Sequence, residues 1–155
     1  KGTIVLLGDS ISLGYRDKIK DLAEQAGAKK VIPLNVSGAF HSPYMQPAVD
    51  ELMPEIEKVL LLTPKVPVVA NITALPENNP ERIKKNLLAQ VTGSVLWTES
   101  MNLMVRQGVD TFIECANGRI MAGLAKRICP DKKIVSAGDV DSLQEALKVL
   151  AEKST

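Results

Sequence analysis

The sequence has almost no excess charge of either sign: 19 Lys and Arg stand against 18 Asp and Glu, for a formal net charge of +1. That removes the electrostatic case for nucleic acid or an anionic membrane surface as a partner. No apolar run approaches the roughly 18 residues that a membrane-spanning helix needs, and the opening residues lack the pattern of a secretory signal. Cysteine is scarce. Cys115 and Cys129 are too few for a disulfide framework or a zinc site, so neither a metal nor a cofactor is expected. Internal repeats and low-complexity tracts are missing as well. Histidine occurs once, so any imidazole chemistry must use His41.

What is present has ordinary globular proportions: 155 residues, 45% hydrophobic and 24% charged. At about 100–200 residues per domain, the length predicts one reduced, cytoplasmic domain over residues 1–155. Thr3 to Leu7 is continuously apolar, as in a strand covered on both faces, and leads into Gly8-Asp9-Ser10. A helical stripe of Ile19, Leu22, Ala23 and Ala26 follows, closed by Gly27. The second strand is expected near Lys30–Val36, ahead of the loop from Ser37 to Pro43. Met45, Val49, Leu52, Met53, Ile56, Val59 and Leu60 then recur at helical spacing. Pro47 falls in the first turn of that helix, while Pro54 is placed to kink or divide it. Val66–Asn71 reads as a third strand, ending in a polar segment from Ile72 to Asn79.

Asn79-Pro80-Glu81 has the form of a helix start, opening a helix expected to bury Ile83, Leu87, Leu88 and Val91. After a break at Thr92-Gly93-Ser94, Trp97, Met101, Met104 and Val105 share a face up to Gly108. A strand near Thr111–Cys115 and the turn Ala116-Asn117-Gly118 lead to a helix with Ile120, Leu124 and Ile128. The strand Lys133–Ser136 precedes a last helix, with Asp141 and Gln144 in a capping-box-like arrangement. That helix is expected to bury Leu143, Ala146, Leu147 and Leu150. Strand–helix alternation of this kind predicts an α/β fold, a three-layer αβα sandwich on a mainly parallel sheet of about five strands. Sites on such sheets lie beyond the carboxyl ends of strands, which selects Gly8–Ser10, Ser37–Pro43 and Ala70–Thr73.

His41 sits just past a strand, where an imidazole serves as a general base near neutral pH; a plain surface histidine fits the same position. Ser10 follows a strand and a glycine, a place where a turn can expose a nucleophilic hydroxyl. The same residues fit an ordinary Asp/Ser helix cap. Serine needs a base, so Ser10 requires His41. Gly8 beside Ser10 and Ser42 beside His41 complete the candidate set as substrate-contacting positions. Gly8 to Gly14 lacks the lysine and spacing of G-x-x-x-x-G-K-S/T and is no phosphate loop. Cys115, at a strand end, is expected to be a small buried hydrophobe, and the helically spaced methionines to be core.

The string Val36-Ser37-Gly38-Ala39-Phe40-His41-Ser42-Pro43-Tyr44-Met45 resembles the C-terminal half of malonyl-CoA:acyl carrier protein transacylases. Val68-Val69-Ala70-Asn71-Ile72-Thr73, Leu88-Ala89-Gln90-Val91, Ser94-Val95-Leu96-Trp97 and Phe112-Ile113-Glu114-Cys115 follow in that family's order. The resemblance begins near Gly27. It implies a serine acyltransferase with a Ser–His pair: His41 as base, the backbone carbonyl around Gln90 orienting the ring, and Asn71 lining the site. It further implies a coenzyme A thioester or acyl carrier protein as partner, with no role for nucleic acid or membrane. The family's G-H-S-x-G elbow does not occur in these 155 residues.

The opening Thr3-Ile4-Val5-Leu6-Leu7-Gly8-Asp9-Ser10-Ile11-Ser12-Leu13-Gly14 is similar to the first block of the GDSL, or SGNH, esterases. That likeness makes Ser10 the nucleophile. Residues 1–26 then form a GDSL-like strand–turn–helix and residues 27–155 the acyltransferase-like portion, a combination that implies a chimera. Three functional classes follow. In the first, Ser10 and His41 carry out acyl transfer or ester hydrolysis. The second is a non-catalytic αβα scaffold whose catalytic parts never meet, and the third is a thioester or carrier-protein binder without turnover.

Overall fold

The computed structural model describes residues 4–8, 16–35, 39–116 and 120–151. By contact density the chain forms two compact units, residues 1–62 with 84–94 and residues 63–83 with 95–155. Ser10, Gly38 and the turn at Asn117-Gly118 lie outside the described residues.

The first unit begins as a βαβ element: β1 (Ile4–Gly8), α1 (Arg16–Gln25) and β2 (Val31–Asn35). The two strands are parallel, from Ile4 opposite Val31 to Gly8 opposite Asn35. Gly27 ends α1 because the chain there takes φ +91°, which favours a residue without Cβ. Its N–H donates to the Glu24 carbonyl at 2.9 Å and that of Ala28 to the Ala23 carbonyl at 3.0 Å, satisfying carbonyls the helix leaves free. A 3-10 turn (Pro43–Met45) then feeds α2 (Gln46–Lys58). Pro54 does not divide α2, which runs as one helix through it with Val49 as its buried residue. The C-terminal part of α3 (Pro80–Thr92) also belongs to this unit.

In the second unit β3 (Val68–Ala70) and β4 (Leu75–Glu77) form an antiparallel hairpin. The start of α3 is capped as its sequence predicts. Asn79 Oδ1 accepts the N–H groups of Glu81 at 2.9 Å and Arg82 at 3.1 Å, with Pro80 at the first helical position, where no N–H is needed. Then come α4 (Trp97–Arg106), β5 (Thr111–Glu114), α5 (Ile120–Ile128), β6 (Lys133–Ser136) and α6 (Val140–Ala151), with β5 and β6 parallel. Met101, Ala125 and Cys129 form the buried core, and Trp97, Met104, Val105, Phe112, Ile128 and Ile134 pack on it. Glu114, at the end of β5, accepts the N–H groups of Met121 and Ala122 at 3.1 and 3.0 Å, so a strand carboxylate caps the positive end of α5.

The fold is mixed α/β, but its strands among the described residues are three hydrogen-bonded pairs, not the expected five-stranded sheet. β4 is one source of the difference. Three residues following a polar turn are too few to show a period, so its segment reads as loop. The cap of α6 lies two residues earlier than expected: Asp139 Oδ1 accepts Ser142 N–H at 2.8 Å, while Ser142 Oγ accepts Asp139 N–H at 3.1 Å. In α6 Ala146 is buried as expected and Val149 joins it, whereas Leu143, Leu147 and Leu150 remain about half exposed. In α5 the buried residues are Ala122 and Ala125, and Leu87 of α3, expected to be buried, is half exposed. Cys115 is exposed, one residue beyond β5, and the buried thiol is that of Cys129. No helix among the described residues is long and apolar enough to cross a membrane.

Candidate active site

The turn that carries His41 is built from its own neighbours. Ser42 Oγ–H donates to the Ala39 carbonyl at 2.6 Å, and Pro43 opens the 3-10 turn that leads into α2. Within this turn His41 takes φ +61°, a conformation that side chains rarely adopt and that histidine tolerates better than most. Such a backbone costs on the order of 1–3 kcal/mol and persists only where surrounding bonds hold it. Here they come from the C-terminus of α3. His41 N–H donates to the Val91 carbonyl at 3.1 Å, and His41 Nδ1 lies 2.8 Å from the Gln90 carbonyl, 49 positions along the chain.

Both acceptors are among the last four carbonyls of α3, which no later turn of the helix can satisfy. A carbonyl oxygen only accepts, so a short contact of this kind puts the ring proton on Nδ1. In the neutral ring Nε2 then carries the lone pair, on a residue exposed to solvent. This is the arrangement a general base needs: one nitrogen held and protonated, the other free to take a proton.

The Gln90 side chain is ordered too. Its Nε2 donates to the Gly93 carbonyl at 2.9 Å and the Ser94 carbonyl at 3.3 Å. Gln90 Oε1 is buried, and among the described residues no donor reaches it. Thr92 Oγ1 stands 3.5 Å from the Ala89 carbonyl, so three successive carbonyls at the end of α3, those of Ala89, Gln90 and Val91, are engaged.

Of the residues singled out from sequence, His41 and Gln90 are brought together. Ser42 stands beside them, but its hydroxyl proton is committed to Ala39, so it braces the turn. Asn71 belongs to the second unit, in the turn after β3, where its carbonyl accepts Leu96 N–H at 2.8 Å. Gly8 is the last residue of β1, paired with Asn35. Three features escaped the sequence reading: the Val91 carbonyl, the bracing by Ser42 and the clamp made by the Gln90 carboxamide. Only the glycine-to-proline span around His41 hinted at a constrained turn.

No protein-family model matches the chain. The malonyl CoA-acyl carrier protein transacylase of Bacillus subtilis is 33% identical over 153 residues, 99% of this chain and 47% of that protein. The protein of that name from Synechocystis is 35% identical over 116 residues, 75% of this chain and 40% of its own length. Among solved structures, the acyl-carrier-protein S-malonyltransferase of Burkholderia pseudomallei is 40% identical, with a TM-score of 0.79 over 85% of this chain and 43% of that one. A type II PKS acyl-carrier protein in complex with its malonyl-transacylase gives 35% identity and a TM-score of 0.79, again over 85% of this chain and 43% of the other. A match over 99% of the residues takes in the Gly8-Asp9-Ser10 segment along with the rest. The chain spans about half the length of the relatives it matches, and over that half it resembles malonyl CoA-acyl carrier protein transacylase in sequence and in fold.

Proposed function

We propose that this chain carries the general-base part of a Ser–His acyl-transfer site of the malonyl-CoA:acyl carrier protein transacylase type. The observation that carries the reading is the 2.8 Å contact between His41 Nδ1 and the Gln90 carbonyl. It does for the ring what a buried carboxylate does in a protease triad, selecting the tautomer and holding the plane of the imidazole. In the proposed reaction a serine hydroxyl oxygen adds to the thioester carbonyl while its proton passes to His41 Nε2. The tetrahedral adduct collapses with cleavage of the carbon–sulfur bond, and His41 returns the proton to the departing thiolate. An incoming thiol reverses these steps. Malonyl-CoA and acyl carrier protein are the donor and acceptor this reading assigns, and Asn71 is its third site residue.

Ser10 is proposed as the hydroxyl, with Gly8 beside it. The likeness of the opening segment to a GDSL block supports that choice, and with it a chimeric origin. The similarity to one transacylase over nearly the whole chain supports the simpler view that a single family accounts for both parts. Incubation with malonyl-CoA followed by peptide mass spectrometry separates the two. A malonyl ester on Ser10 that disappears in His41→Ala supports a Ser10–His41 pair. A chain with no ester at Ser10 eliminates that pair, and His41 is then tested with a hydroxyl supplied by a second polypeptide.

A further inference from the structure

We propose that the carboxamide of Gln90 is a positioning group for His41, acting by stopping α3 where the base needs its carbonyls. This rests on the reading of His41 as the base. Helix α3 ends at Thr92, and Gln90 Nε2 folds over that end to hold the Gly93 and Ser94 carbonyls at 2.9 and 3.3 Å. One more residue of helix would set Ser94 N–H on the Gln90 carbonyl, since each helical N–H bonds to the carbonyl four residues earlier. That carbonyl is the acceptor for His41 Nδ1. A helical bond from Ser94 N–H would share that oxygen with the ring of His41 and weaken its hold on Nδ1, and the Gln90 side chain prevents this by tying the exit peptides down in a non-helical path. Its orientation is determined by the same contacts, because a flipped amide would face two carbonyl oxygens with a third. The side chain keeps this arrangement although its own Oε1 is buried without a donor among the described residues. A buried orphan acceptor is a cost that a freely chosen rotamer would avoid by turning toward water.

His41 is the sole histidine, so one 15N-labelled imidazole reports on the site without overlap. In the unmodified chain at a pH where the ring is neutral, Nδ1 is expected at a protonated, pyrrole-type shift and Nε2 at a pyridine-type shift. The opposite pattern, or a tautomer average, would overturn the proposal before any variant is made. Gln90→Leu and the isosteric, donor-free Gln90→Glu are each expected to lose the single-tautomer pattern, both nitrogens moving toward averaged shifts. Far-UV circular dichroism is expected to show no loss of helix. Adding Ser94→Pro, which removes the competing N–H, is expected to restore the pattern in Gln90→Leu. Variants that fold and retain the unmodified shifts overturn the proposal. Its failure is distinct from failure of the proposed function: an intact tautomer lock in a chain whose acyl transfer ignores His41→Ala would refute the base assignment alone.

Discussion

At the scale of single residues, the most informative backbone angles are the positive ones. Gly108 takes φ +92° at the end of α4, with Val109 N–H donating to the Met104 carbonyl at 3.0 Å. An added Cβ there would meet nothing within 4 Å, so the cost of Gly108→Ala is conformational alone. It is expected at about 1–2 kcal/mol by denaturant unfolding; a variant as stable as the parent would mean that this helix end is not held in the left-handed conformation. His41 adopts a similar angle without glycine's freedom, and the Ser42–Ala39 hydrogen bond is one of the ties that keep it there. Ser42→Ala is expected to cost about 0.5–1.5 kcal/mol and to broaden the ring signals of His41. Unchanged ring dynamics would remove Ser42 from the support of the base.

Among the helices, period was legible throughout but the phase of burial only in part. Trp97, Met101 and Met104 share a face of α4, as their spacing predicts, because Met101 is both large and central in the packed cluster. In α5 and α6 Ala122, Ala125, Ala146 and Val149 turn inward, while the large residues one position away stay partly open. Two neighbouring stripes were both apolar, and hydrophobicity alone cannot rank them. Met101→Ala, at 1% exposure, is therefore expected to cost about 2–5 kcal/mol. Leu147→Ala, at 55% exposure, is expected to cost less than about 1 kcal/mol. Equal losses in the two variants, measured by urea unfolding, would refute the observed phase. Capping followed the same division. Asn79 was readable from its sequence, whereas Glu114 caps α5 from another element and carried no local signal.

At the scale of the whole molecule, the chain spans about half of its relatives. Under the proposed function, co-expression with the portion of the Bacillus subtilis relative that this chain does not match is expected to raise malonyl transfer about tenfold or more over the chain alone. His41→Ala is expected to remove that gain by roughly 10²–10⁴-fold, the range for loss of a general base. A complemented activity indifferent to His41→Ala would sink the proposed role.

Composition, periodicity and short motifs by themselves determined the α/β character, most strand and helix positions, the start of α3 and the candidacy of His41. These depend on residues close together in the chain, whose propensities and spacing are local. Long-range packing settles that the strands among the described residues pair two by two, which stripe of α6 is buried, and that His41 meets the Gln90 carbonyl, 49 positions away, with the Val91 carbonyl beside it. Those outcomes depend on which distant groups satisfy the free carbonyls of a helix end and which faces lose water together. A linear pattern does not encode either until the chain has closed on itself.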